Sequence, residues 1–186
     1  MVKKIIKSAL LKIVCFTSLF LFVNCVAKKK TSYTKKRTVT IEASEEKSNS
    51  EATENEYRSR KAEKVIGTAL GFSGVRYKYG GTTRKGMDCS GLIYTSLLEH
   101  DIDFPRVSYQ MADEGKRISL KEVKSGDLLF FRTSKNGKRI NHVGLVVEVT
   151  GDEIRFIHST SSRGVIVSSL REGFWNSTFI KATRIL

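Results

Sequence analysis

A thiol and two imidazoles are the side chains of this sequence best suited to chemistry. Cys89 stands in Asp88-Cys89-Ser90-Gly91, where a polar loop runs into an apolar stretch. A thiol at a helix start meets unpaired N–H groups and the positive end of the helix dipole, and both favour thiolate. The same N–H groups can receive the oxyanion of a tetrahedral intermediate. A thiolate needs a base that also protonates a leaving amine, a task suited to histidine near neutral pH. The candidates are His100, His142 and His158. His100 falls at the far end of the Cys89 helix, roughly 16 Å along its axis, and is assigned to the surface. His142 and His158 flank a turn at Thr150-Gly151-Asp152. A hairpin centred on residue 150 opposes them directly, and one centred on 151 makes them diagonal neighbours. Either way they share a face, with Cβ atoms roughly 5–8 Å apart. One imidazole can then orient the other, which outlines a Cys-His-polar triad. Two other uses stay open at this point. One Cys and two His can hold zinc, although no short ligand spacing surrounds Cys89. A buried cysteine can also be inert packing.

The elements that must position these groups follow from periodicity. Ala62, Val65, Ile66, Ala69 and Leu70 make one apolar helical stripe, stopped by Gly71. Residues 74–86 form a loop rich in glycine and tyrosine; its Gly80–Gly86 run lacks P-loop spacing. Ser90 to about Glu99 reads as a second, more buried helix, and Ser108–Glu114 as a short third one. Beyond Lys124 the pattern changes to strands, at 127–132, 142–149, 154–159, 165–169 and 178–186. Helices first and an antiparallel sheet afterwards predict an α+β domain.

The N-terminus reads as an address. Lys3, Lys4, Lys7 and Lys12 precede an uninterrupted stretch from Ile13 to Val23, about half the ~20 residues that span a bilayer. Those flanks and that length fit a secretory signal. The stretch ends at Leu21-Phe22-Val23-Asn24-Cys25, which resembles the lipobox of bacterial lipoproteins; Asn24 departs from the Gly, Ala or Ser usual there. Acylation of Cys25 would remove Cys15 with the signal and leave Cys89 as the free thiol. Residues 25–57, with basic runs and then a Ser/Glu/Thr-rich run, read as a disordered tether spanning ~30 Å on average. This divides the chain into signal 1–24, anchored tether 25–57 and domain 58–186. The formal charge of +14 invites a nucleic-acid reading. Its distribution argues against one. Residues 1–60 hold 13 of the 33 Lys/Arg and 6 of the 19 Asp/Glu, so each part of the chain is net +7. No arginine-rich helix appears.

Six blocks then fall in order. They are Tyr77-Lys78-Tyr79-Gly80-Gly81, Asp88-Cys89-Ser90-Gly91-Leu92 and Pro105-Arg106-Val107-Ser108-Tyr109-Gln110. Gly126-Asp127-Leu128-Leu129-Phe130-Phe131, Asn141-His142-Val143-Gly144-Leu145 and Phe156-Ile157-His158-Ser159 complete them. Together they resemble the NlpC/P60 cell-wall peptidases over about residues 58–186. The resemblance implies a papain-like α+β fold, with N-terminal helices packed on an antiparallel sheet. It implies Cys89 as nucleophile, His142 as base and acid, and His158 as the residue orienting His142. It implies that Tyr77 helps the oxyanion site and that Asp88, Ser90 and Arg106 line the substrate cleft, or brace its loops. No metal or organic cofactor is implied. The implied substrate is an amide in the peptidoglycan stem or crosslink, either D-glutamyl-diaminopimelate or D-alanyl-diaminopimelate. A CHAP-type amidase cutting the sugar–peptide bond and an inactive wall-binding lipoprotein are the alternatives. The expected setting is the cell envelope, with a monomer lipid-anchored at Cys25. Val26 after that cysteine suggests the outer membrane, facing the periplasm.

Overall fold

The computed structural model describes residues 42–186, with side-chain surroundings given from residue 52. Cys25 and the signal segment lie outside the described residues.

The first helix, α1, runs Glu42–Leu70. Its C-terminal part carries the predicted stripe, with Ala62, Val65, Ile66 and Ala69 buried. Residues 42–57 were expected to form unstructured tether, and the structure differs there: they are helical. No apolar stripe announces this half. Nine of its sixteen residues are Glu, Ala or Lys, good helix formers, and at its end Glu54 and Glu56 pair with Arg58 at 2.9 Å and Arg60 at 2.7 Å, each pair worth a few tenths of a kcal/mol.

The second helix, α2, spans Cys89–Leu98 and is buried on most sides. Asp88 caps it, its carboxylate accepting from the Gly91 N–H at 2.6 Å. Gly91 is required by close approach: a Cβ there would overlap the Gly81 carbonyl oxygen. His100, expected on the surface, is partly buried, and its Nε2 lies 2.8 Å from Thr68 Oγ1, tying the ends of α1 and α2. The third helix, α3, is one turn, Ser108–Met111, shorter than expected.

A hairpin of β1 (Thr82–Thr83) and β2 (Gly86–Met87) forms inside the glycine-rich loop. The main sheet holds β3 (Lys116–Ile118), β4 (Leu128–Phe131), β5 (His142–Thr150), β6 (Glu153–Thr160), β7 (Gly164–Ser169) and β8 (Phe179–Arg184). Its order is β3-β8-β4-β5-β6-β7, antiparallel throughout. The α+β expectation holds. The expected last strand is shorter, because helix α4, Gly173–Thr178, precedes it. Strand β3 carries only one buried residue, Ile118, too little alternation to read from sequence.

β4 is buried on both faces. Leu128 and Phe130 pack with Val65, Leu92, Ile93 and Leu97 of the helices. Leu129 and Phe131 pack on the other face with Val146, Phe156 and Trp175.

The β5–β6 hairpin contains the feature that aligns the two histidines. Its turn is Gly151-Asp152, with Gly151 at φ 59°, and next to it Thr150 faces Glu153 and Glu148 faces Arg155. Carried through unbroken, that register would set His142 opposite Ser161 and turn it to the face away from His158. A bulge at Val147 intervenes, after which Val146 faces Phe156 and Leu145 faces Ile157. The extra residue returns both histidines to one face as diagonal neighbours, the arrangement of a hairpin centred on residue 151.

Candidate active site

Asp88 organises the approach to Cys89. Besides capping α2, its carboxylate accepts from the Gly80 N–H at 2.7 Å and pairs with the Arg106 guanidinium at 3.0 Å. Arg106 also donates to Ser90 Oγ at 2.8 Å and to the Gly81 carbonyl at 3.3 Å. One buried carboxylate thus holds the glycine loop, the helix start and the Pro105–Ser108 segment together. Asp88, Ser90 and Arg106 are brought together as a brace.

Tyr77, Asp88, Cys89, Ser90, Arg106 and Asn141 line one cleft of about 540 Å³. The Cys89 sulfur packs against the first residues of β5. It lies 4.0 Å from the Asn141 carbonyl oxygen, and the Val143 N–H points at it, so it is bracketed by the two neighbours of His142. Burial raises the thiol pKa above its ordinary value. The N–H groups of Val143, Ser90 and Cys89 itself pull the other way, and the Asp88 charge adds to the rise. This corrects the expectation of a thiolate: the helix-start donors are present, but desolvation outweighs them. The Tyr77 hydroxyl pKa is raised by burial and by the nearby Cys89 and Asp88, so the phenol stays a donor.

His142 and His158 share a face as expected, and the bulge at Val147 is what puts them there. His142 Nε2 lies 2.9 Å from His158 Nδ1, and His158 Nε2 lies 3.0 Å from Ser168 Oγ. Both His158 nitrogens are therefore engaged, and a zinc ion on Cys89, His142 and His158 has no His158 lone pair to use. Among the described residues, His142 Nδ1 has no hydrogen-bond partner. Trp175 encloses the pair: its indole stacks on His142 at 5.1 Å and 23°, and meets His158 edge-on at 4.5 Å. Sequence reasoning missed Ser168 and Trp175. The signal available for Trp175 was its being the chain's single tryptophan. His142 also borders a second cleft, of about 370 Å³, with Arg163, Glu172, Phe174 and Trp175 in its walls.

Burial lowers the His142 pKa to about 4. Burial lowers that of His158 to about 2, helped by the charges of His142 and Arg163. Both rings are neutral when folded and take up protons below pH 6.5 when unfolded. Their contribution is whole above pH 6.5 and is lost as the pH falls toward the folded values, at about 1.4 kcal/mol per pH unit for each. Thermal midpoints are therefore expected to fall on the order of 10 °C between pH 7 and 4.5, and His158→Gln to flatten that slope. A slope unchanged by the substitution would contradict the assignment.

The profile of the NlpC/P60 family matches residues 74–184. The chain belongs to the NlpC/P60 family. The murein DD-endopeptidase MepS/murein LD-carboxypeptidase of Escherichia coli (strain K12) is 37% identical over 116 residues, covering 62% of this chain and 58% of that protein. The probable endopeptidase NlpC of the same strain is 39% identical over 113 residues, covering 60% and 70%. Among solved structures, an NLP/P60 family protein described as similar to lipoprotein, from Staphylococcus aureus, superposes with a TM-score of 0.60. It is 30% identical and covers 68% of this chain and 42% of that one. An NlpC/P60 family protein from Bacillus cereus also gives 0.60, at 28% identity, covering 66% and 39%. These neighbours agree with the papain-like α+β reading. The match lies within the domain expected at 58–186, and as an NlpC/P60 domain it contains Cys89, His142 and His158.

Proposed function

We propose that this NlpC/P60 protein is a cysteine endopeptidase that hydrolyses amides made by an amino group of diaminopimelate, in peptidoglycan stem or crosslink peptides. The observation that carries the reading is the His142–His158 bond at 2.9 Å beside a sulfur bracketed by residues 141 and 143. The names of the relatives agree with it: one is a murein DD-endopeptidase and another, from Bacillus subtilis, a muramidase/DL-endopeptidase.

Cys89 is the nucleophile and starts as a neutral thiol. His142 Nδ1 takes its proton as the sulfur attacks the carbonyl carbon. The imidazolium that forms donates through Nε2–H to His158 Nδ1, and His158 donates through its own Nε2–H to Ser168. The low pKa of His158 keeps that ring neutral, so the proton stays on His142. The stacked indole of Trp175 stabilises the transient cation. The oxyanion is received by the Cys89 N–H and the Tyr77 hydroxyl. His142 then protonates the leaving amine, the acyl group stays on Cys89, and water activated by His142 releases it. Asp88, Ser90 and Arg106 hold the acyl-side cleft in shape. Peptidoglycan is the substrate and partner, and nucleic acid is not.

Residues 1–24 act as a lipoprotein signal, Cys25 carries the lipid, and the chain from there to residue 57 spaces a monomeric catalytic domain from the membrane within the cell envelope. The test is digestion of purified sacculi, with the fragments read by mass spectrometry. Wild type is expected to release peptides newly cut at a diaminopimelate amine, and Cys89→Ala to release none. Intact stem peptides freed from glycan would instead support a sugar–peptide amidase, and an unchanged profile would support an inactive wall-binding protein.

A further inference from the structure

The two clefts differ in what they can hold, and the chemistry assigns each a side of the substrate. The sulfur attacks the carbonyl carbon, so the acyl half lies in the cleft that Cys89 lines. His142 must hand its proton to the departing nitrogen, so the amine half lies toward the cleft that His142 lines. That second cleft contains His142 and not Cys89, and the first contains Cys89 and not His142. Residues 141 and 142 join them.

The second cleft has a distinct chemical character. Arg163 is exposed, and among the described residues it forms no ion pair. Its backbone is fixed, because its N–H donates to Thr160 Oγ1 at 3.1 Å. The following Gly164 sits at φ 68°, against the Val75 carbonyl with no room for a Cβ. Glu172 also lines the cleft, its carboxylate accepting from the Ser169 N–H at 3.0 Å. Phe174, 55% exposed, and Trp175 supply apolar surface in the same cleft. A free guanidinium beside exposed aromatic surface suits a ligand with a carboxylate and an aliphatic stem.

We propose that this cleft is the leaving-side subsite, and that Arg163 makes it select a free carboxylate over a carboxamide on the diamino acid that departs. The proposal rests on the peptidase reading above. A guanidinium pairs bidentately with a carboxylate and loses that pairing with an amide. The aliphatic stem of the diamino acid lies on Phe174. The nearness of Arg163 to the catalytic pair is seen independently in its charge acting on His158.

The test compares crosslinked diaminopimelate muropeptides with the same compounds after their diaminopimelate carboxylates are amidated. Wild type is expected to cut the free-carboxylate form with at least tenfold higher kcat/KM. Arg163→Gln should lower that value about tenfold, leave the amidated substrate unchanged and bring the ratio near one, with Arg163→Lys restoring part of it. Arg163 is exposed, so thermal midpoints of the variants should match wild type. A wild-type ratio near one, or a ratio unchanged by Arg163→Gln, would overturn the subsite alone. Failure of wild type to cut either substrate would overturn the peptidase reading and the subsite with it.

Discussion

Replacing His142 with alanine is expected to slow cleavage of peptidoglycan peptide by about 10²- to 10⁴-fold, the range that a positioned acid–base group supplies. The size of the effect follows from the protonation states. Burial raises the Cys89 thiol pKa, so turnover depends on a base that draws off its proton. His142 is the group poised to take the proton, because its Nε2 is already bonded to His158 while its Nδ1 has no partner among the described residues. The substitution also leaves His158 Nδ1 unpaired beneath Trp175, which costs roughly 1–3 kcal/mol of stability. Initial rates on muropeptides, taken well below the melting transition of each variant, separate the two effects. A loss of less than fivefold would show that another group moves the proton.

Asp88→Ala is expected to cost about 3 kcal/mol of stability and to lower the thermal midpoint by on the order of 10 °C. The carboxylate is buried and serves the Gly91 N–H, the Gly80 N–H and the Arg106 guanidinium at once. Loss of the cap alone accounts for about 1 kcal/mol. The remainder comes from an unpaired Gly80 amide and from Arg106, whose charge keeps 30% of its side-chain surface and is partly relieved by water. Activity should fall further than stability, because the start of α2 and the loop beside Tyr77 lose their common anchor. Denaturant titration of Asp88→Ala, Arg106→Ala and the double variant reads the coupling directly. Additive losses would mean that the pair does not act as a brace.

The site was legible in the sequence where one element carries it. The Asp88-Cys89-Ser90-Gly91 block announces a capped helix start, and the spacing of His142 and His158 about a turn points to a shared face that the fold reaches through a bulge. What escaped depends on burial or on distant segments meeting. The bulge at Val147 leaves no mark in composition, yet an unbroken register from the turn would have separated the histidines. The thiolate expectation counted the helix-start donors and could not count desolvation, which reverses the direction. Trp175 and Ser168 reach the imidazoles from α4 and β7, which no local pattern connects to them. Residues 42–57 lacked a stripe and read as tether, although their i,i+4 Glu–Arg pairs were visible and support the helix found there. The second cleft draws on residues 133, 142, 160–163 and 172, 174 and 175, four segments whose meeting only the folded sheet reveals.

The central claim is that Cys89 forms a covalent acyl bond with the substrate. Rapid mixing with a crosslinked muropeptide, acid quench and intact-mass measurement, followed by peptide mapping, reads that bond directly. The account predicts a mass increase equal to the acyl half of the cleaved peptide, located on Cys89 and absent from Cys89→Ser quenched under the same conditions. Turnover with no adduct on Cys89, or turnover undiminished in Cys89→Ala, would contradict it.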